Sequence, residues 1–445
     1  MVFRTSFAET AELANPESLA SFRRRLDPAW IAQALEATGT ATVRRRRLPA
    51  EQVIWVVLGM GLFRDQPIED VVAKLDLALP GQSATPAKSS IAQARERLGS
   101  EPLKWLFETS ACKWAEHSAQ QHRWKGLSLF GMDGTAIRVP DTAANRAQFG
   151  GKKSRDGTQS GYPLVRLVVL MALRSHVLKA ASFGPYEATH EMTYASPMIA
   201  ALPDHSLTIL DRGFLGASML QSIQSTGSER HWLIPTRSNM KMRVLRRFGR
   251  GDELVELETT HYSRVRDPSL PRTWTARAIR YKRKGFPARV LLTSLSDSKI
   301  YPAAEIASLY HERWELELAY DELKTELLER EETIRSKTPD GVVQELWGVL
   351  LAYNLIRLEM EQVAREAKVE PTRISFAESL RLIRYEWSWL SVASPGAIPA
   401  RLRKLRANLK RYVLPPRRPH RSYPRAVKLK MSSYDRKRPA VELVK

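Results

Sequence analysis

Cysteine is nearly absent: Cys112 stands alone among 445 residues. That excludes an internal disulfide and any zinc site built on thiolates. Acids are scarce relative to bases, with 48 Asp and Glu against 70 Lys and Arg, giving a formal net charge of +22. A surplus of that size calls for a polyanionic partner, either nucleic acid or an anionic membrane. Long apolar runs are missing as well. Val53 to Phe63 and Leu167 to Leu173 are the longest, short of the roughly 18 residues that a membrane span needs. The opening residues lack a signal peptide's apolar core, so the expectation is a cytoplasmic protein acting on nucleic acid, with no membrane partner. No Gly-x-x-x-x-Gly-Lys-Ser/Thr phosphate loop is present, which argues against an ATP-driven motor. His190-Glu191-Met192-Thr193-Tyr194 places Tyr where a zincin carries its second His, which excludes that metalloprotease class. No internal repeat is present.

What is there suits a globular protein of two or three domains, with 43% hydrophobic and 27% charged residues. Residues 1–125 read as helical. Pro16-Glu17 and Asp27-Pro28 mark helix starts, and Val53 to Phe63 suits a buried helix. Thr85 to Gly99 combines a Ser cap, a short amphipathic helix and a Gly stop. It has the form of a recognition helix, with Ser89, Ser90, Gln93 and Arg97 free to face DNA, and equally that of an ordinary surface helix. Arg44 to Arg47 suits either a DNA contact or a solvated loop. From residue 126 the apolar period changes. Strands are expected at 126–132, running on toward Asp141, then at 162–173, 177–183 and 206–210. Helices are expected at 192–202 and 215–225. Residues 231–295 read as mostly β, with basic loops at Lys241-Met242-Arg243 and Arg246-Arg247. Long helices follow at 342–360 and 375–390. From Arg401 to Arg438 fifteen bases face one acid, Asp435, among four prolines, which suits a flexible basic arm.

The chemistry concentrates in Tyr310 to Lys324, a stretch rich in Glu, Leu, Ala and Lys without Gly or Pro. On a wheel at about 100° per residue, Tyr310, Arg313, Glu317 and Lys324 fall on one stripe roughly 60° wide. Leu309, Leu316, Leu323 and Leu327 share a neighbouring stripe that faces the core. One carboxylate is thereby flanked by a phenol and two cations, an arrangement suited to a phosphodiester passing over a metal-binding acid. Taken alone, the same stretch suits a solvated helix laced with weak ion pairs. Two further acids follow buried strands, Asp133 and Asp211. Three carboxylates brought together repel one another and repel phosphate, so they make sense around divalent cations. Hard oxygen donors point to Mg²⁺ or Mn²⁺, and two such ions could serve the attacking and leaving oxygens of a phosphoryl transfer. Asp156-Gly157-Thr158 repeats the triplet that begins at Asp133, but it sits in a polar loop.

Tyr310, Arg313, Glu317 and Lys324 reproduce the Tyr-Arg-Glu-Lys signature of the Insertion Sequence 4 family of DDE transposases. Asp133-Gly134-Thr135 resembles that family's first acidic block, and Leu210-Asp211-Arg212-Gly213-Phe214 its second. The resemblance spans residues 45–435. It implies an α/β fold: a ribonuclease-H-like catalytic core at 126–340 with an inserted β subdomain at about 231–295. A helical DNA-binding domain at 1–125 precedes the core, and C-terminal helices with a basic tail at 341–445 follow it. It implies that Asp133, Asp211 and Glu317 hold two Mg²⁺ (or Mn²⁺), that element ends are cleaved, and that the freed 3′-hydroxyls attack target DNA. Tyr310, Arg313 and Lys324 would grip the double-stranded DNA of the transposon end. Trp232, by position, would hold a flipped base. A homodimer in a paired-end complex at the bacterial nucleoid completes the implied picture. A same-fold metal-dependent nuclease and a non-catalytic DNA-binding derivative are the alternatives.

Overall fold

The computed structural model describes residues 25–41, 48–75, 86–153, 159–187, 190–237, 240–283, 287–329, 334–390 and 397–416. The N-terminal part is helical, as its sequence predicts: α1 (Pro28–Ala37), α2 (Ala50–Leu62), α3 (Ile68–Lys74), α4 (Lys88–Leu98) and α5 (Glu101–Gln121). Asp27 caps α1 by accepting from the Ala29 amide, and a proline at its first position fits the cap. α4 stops at Gly99, whose φ is +68°. It begins at Lys88 behind Ala87 with no side-chain cap, so Ser89 and Ser90 lie inside the helix rather than capping it. Arg44 to Arg47, the Pro16 helix start and Asp156-Gly157-Thr158 lie outside the described residues.

Nine strands form the main sheet: β1 (Ser128–Arg138), β4 (Leu164–Ala172), β5 (Leu178–Pro185), β6 (Ser206–Leu210), β7 (Arg230–Pro235), β8 (Arg243–Gly249), β9 (Asp252–Glu258), β10 (Thr273–Tyr281) and β11 (Arg289–Thr293). The remaining two, β2 (Lys152–Lys153) and β3 (Gln159–Ser160), pair only with each other. The order in the main sheet is β5-β4-β1-β6-β7-β11-β10-β9-β8, with β1, β6 and β7 mutually parallel. The stretch from 231 to 295 therefore forms no separate β unit, because β7 and β11 pair directly and continue the same sheet. The basic segment around Arg243 and Arg246-Arg247, expected as loops, is the edge strand β8, where exposed cations discourage further strand addition.

Short helices connect the strands: α6 (Ala143–Phe149), α7 (Glu191–Ala195), α8 (Ala217–Ser225) and α9 (His261–Arg266). The helix expected over 192–202 breaks at Ala195 into a 3₁₀ turn, Ser196–Ala201, which begins beside Pro197. Next comes one helical run of four parts: α10 (Ala303–Leu309), a 3₁₀ turn (Tyr310–Arg313), α11 (Trp314–Asp321) and a π turn (Glu322–Leu327). α12 (Pro339–Ala367), α13 (Phe376–Leu390) and α14 (Ile398–Leu409) follow. α14 falls within the expected basic arm. It is helix because Leu402, Leu405 and Leu409 are buried along one face, while Arg406 pairs with Glu359.

The two faces of the sheet carry different cores. Leu129 and Ile137 of β1 face the core that holds α2, α5, α11 and α12, while Phe130 and Met132 face the one that holds α8 and Trp232. α12 is buried nearly all round because it is central, and it carries charged residues such as Glu345 and Arg357 into the interior. It crosses α2 where Gly348 meets Val57 and Gly61 meets Ala352 and Val349, so that the helix backbones touch. No helix among the described residues is long and apolar enough to cross a membrane.

Candidate active site

Register brings the first two acids together. In the parallel pair β1–β6, Met132 lies opposite Leu210, so Asp133 follows the last paired residue of β1 and Asp211 is the first residue past the end of β6. Gly131, two residues before Asp133 and on the same face, lets α11 approach. A Cβ there would stand 2.7 Å from Leu173 Cδ2 and 2.8 Å from Leu316 Cδ1. Leu316 packs into that gap, and its neighbour Glu317 is delivered to the edge of the site. Tyr320, one turn on, donates its hydroxyl to the Asp133 carbonyl and locks helix to strand.

Arg313 bridges the acids. Its Nη2 donates to Glu317 Oε1 at 2.7 Å, and its Nη1 lies 3.7 Å from Asp133 Oδ2. Burial pushes the Asp133 carboxyl up to about 6, the Gly134 amide and Arg313 pull it back, and the charges of Asp211 and Glu191 raise it again. Among the described residues no three His, Cys, Asp or Glu side chains are grouped as a ready-made metal site. The cation standing between the acids is the Arg313 guanidinium. The chemistry of the donors nonetheless fits a hard divalent ion: carboxylate oxygens, partly open to solvent, gathered around a positive charge.

The signature residues share one side of the helical run without the regular geometry of the wheel. Tyr310 and Arg313 belong to the 3₁₀ turn and Lys324 to the π turn, and irregular turns of that kind recur at functional sites. Tyr310 is buried, and that burial pushes its phenol up to about 12. The ring therefore serves the core. Lys324 Nζ stands 3.3 Å from Thr135 Oγ1, two residues beyond Asp133. Burial lowers its pKa, as do Arg138 and Lys152 nearby. Arg138 and Lys152 escaped the sequence reading because neither belongs to a motif.

Trp232 is a correction. It is fully buried in β7, its Nε1 donates to Gln224 Oε1 at 2.9 Å, and its ring packs edge-on against Trp274. No face of it is open to a base. Behind the helix, a buried polar cluster fixes the π turn. His176 contacts Glu315 at 2.9 Å and Glu322 at 3.2 Å, and Tyr353 donates to Glu322 at 2.8 Å. Arg357 lies 3.6 Å from Glu322. Of the N-terminal residues expected to face DNA, Ser89, Gln93 and Arg97 are exposed on α4 and Ser90 is half-buried.

Residues 16–108 match the family profile described as Insertion element 4 transposase N-terminal, and residues 124–355 match the Transposase DDE domain. The transposase InsG for insertion sequence element IS4, from Escherichia coli (strain K12), is 40% identical over 418 residues, covering 94% of this chain and 93% of the relative. InsZ of the same strain, whose name also carries the word transposase, is 37% identical over 250 residues, covering 56% of this chain and 78% of that protein. Among solved structures, a piggyBac transposase synaptic complex with hairpin DNA is similar at TM-score 0.43 and 11% identity, covering 91% of this chain and 87% of that one.

Proposed function

The chain belongs to the insertion element 4 family of DDE transposases, and from that membership we propose that it cuts the ends of an insertion sequence and joins the freed 3′-hydroxyls to target DNA. It is a DNA transposase, and a DDE domain implies dependence on a divalent metal. The reaction centre on this reading is Asp133, Asp211 and Glu317. The observation that carries it is the place of the two aspartates, each next after the paired Met132 and Leu210, with Arg313 tying Glu317 to Asp133. The strand order β5-β4-β1-β6-β7, three antiparallel strands followed by two parallel ones, supports a ribonuclease-H-like core. On this reading residues 126–340 form the catalytic unit, residues 1–125 serve DNA binding, and residues 341–445 complete a homodimer in a paired-end complex.

Two Mg²⁺ or Mn²⁺ ions held by the three acids would supply Lewis acidity at the attacking and leaving oxygens. The chain's own residues do the rest. Arg313, which bridges Asp133 and Glu317, would turn its guanidinium to the phosphodiester once an ion stood between the acids. Lys324, flanked by Arg138 and Lys152, receives the neighbouring phosphate, and Tyr310 offers its hydroxyl at the site's edge. Tyr320 holds the Asp133 backbone still.

The test compares the unaltered chain with Glu317→Gln on a labelled duplex carrying the element's own ends, with and without Mg²⁺. The unaltered chain should nick at the end only with metal. The variant should bind equally and cut at least about 100-fold more slowly, the upper end of what losing an outer-shell partner alone costs. A pre-cleaved end then reports joining. Hydrolysis without joining would leave a metal-dependent nuclease, and binding by both without cutting would leave a DNA-binding protein.

A further inference from the structure

Glu191 opens α7, the short helix that follows β5, and no motif reading drew attention to it beyond its place in a failed zincin pattern. Its carboxyl group lies against the two turns that carry the aspartates. A Cβ on Gly134, the residue after Asp133, would stand 2.8 Å from Glu191 Cδ and 2.9 Å from Oε1. A Cβ on Gly213, two residues after Asp211, would stand 3.9 Å from Oε2. Both acidic blocks thus place a glycine where this carboxylate lies, and any side chain at Gly134 would displace it.

We propose that Glu191 is a fourth carboxylate of the acid centre, lending an oxygen, directly or through one water, to a divalent ion held beside Asp133 and Asp211. The proposal rests on the reaction centre proposed above. Among the described residues Glu191 pairs with the cation of Arg166, Nη1 to Oε1 at 3.3 Å. Charge-assisted pairs close to about 2.7–2.9 Å, so this contact orients the carboxylate more than it neutralises it. Arg166 is itself anchored: it donates to the Tyr186 carbonyl at 3.3 Å and stacks on the Tyr186 ring at 4.3 Å. Glu191 keeps 38% of its side chain exposed, so an ion can reach it. A purely structural ion pair gains nothing from lying beside two aspartates, where like charges repel. A divalent cation turns that repulsion into attraction.

The test measures Mn²⁺ binding to the full-length chain without DNA, by electron paramagnetic resonance. Glu191→Gln, which keeps an acceptor for Arg166 but loses the charge, should bind Mn²⁺ about 10-fold more weakly, and Asp133→Asn should lose binding more severely. Wild-type affinity in Glu191→Gln alongside weakened binding in Asp133→Asn overturns the role of Glu191 and spares the reaction centre. Wild-type affinity in both overturns the two together. A second measurement needs no variant. Fe²⁺ with ascorbate and peroxide cuts the backbone nearest the bound ion in the unaltered chain. Cuts are expected around residues 133, 211 and 191; cuts at the first two alone overturn the proposal, and cuts at none of the three overturn the centre itself.

Discussion

Gly131 shows how a single hydrogen in place of a methyl sets the geometry of the site. Its missing Cβ is the space that Leu316 fills, and Leu316 carries Glu317 with it. Gly131→Ala should force α11 away from β1, costing about 1–3 kcal/mol as an overpacked core does. Denaturant unfolding would read that loss, and cleavage should fall even under conditions where the variant is fully folded. Unchanged stability would mean that Leu316 has room to shift, and that the helix is placed by other contacts. Glu191 belongs to the same scale. Its neighbours in sequence, His190 and Met192, predict nothing about it, and only the fold brings it to the two acidic turns.

Among the elements, the four-part helical run from Ala303 to Leu327 depends on the buried cluster behind it. Burial pushes the Glu322 carboxyl up, but Arg357, His176 and the Tyr353 hydroxyl override it and hold the group down to about 2. Its folded pKa is below its ordinary value of 4.5, so the stabilisation is fully present above that pH. It is lost as pH falls from about 4.5 toward 2. Unfolding measured across that window should show the wild type losing more stability than Glu322→Gln. Parallel curves would remove Glu322 from the account of the π turn. The regular wheel placed the four signature residues on one side correctly, but it had no means of showing that three helix types share the run. Hydrogen-bond register in a helix is decided by what packs around it, here His176 from one strand turn and Arg357 from α12.

At the scale of the whole molecule, one core cluster runs from Leu26 to Leu409, so the helices before and after the sheet stabilise each other. Arg64, just past α2, forms a buried pair with Glu345 of α12, and Glu345 also accepts from the Ser336 amide and hydroxyl and from the Arg335 amide. Removing one partner leaves a buried charge, at about 3–5 kcal/mol. Arg64→Met should therefore lower the stability of the N-terminal helices and the catalytic sheet together, in one shared transition followed by circular dichroism and by tryptophan fluorescence. Two separated transitions would show that residues 1–125 fold apart from the rest. The charge surplus acts at this scale too, since a polyanion is attracted by the summed field rather than by any one residue.

Local information was enough for what the amino-acid order itself determined. The spacing of Tyr310, Arg313, Glu317 and Lys324, the apolar strands leading to Asp133 and Asp211, and the surplus of bases together pointed to the candidate acids, an anionic partner and the mixed α/β plan. Periodicity and motif spacing are properties of neighbouring residues, so they can be read before the chain folds. Tertiary structure alone decided the rest: the continuous nine-stranded sheet, the burial of Trp232, the ordering of α14, and the convergence of Glu191, Arg138 and Lys152 on the site. Each depends on contacts between residues distant in sequence, and burial and long-range pairing leave no local period to read.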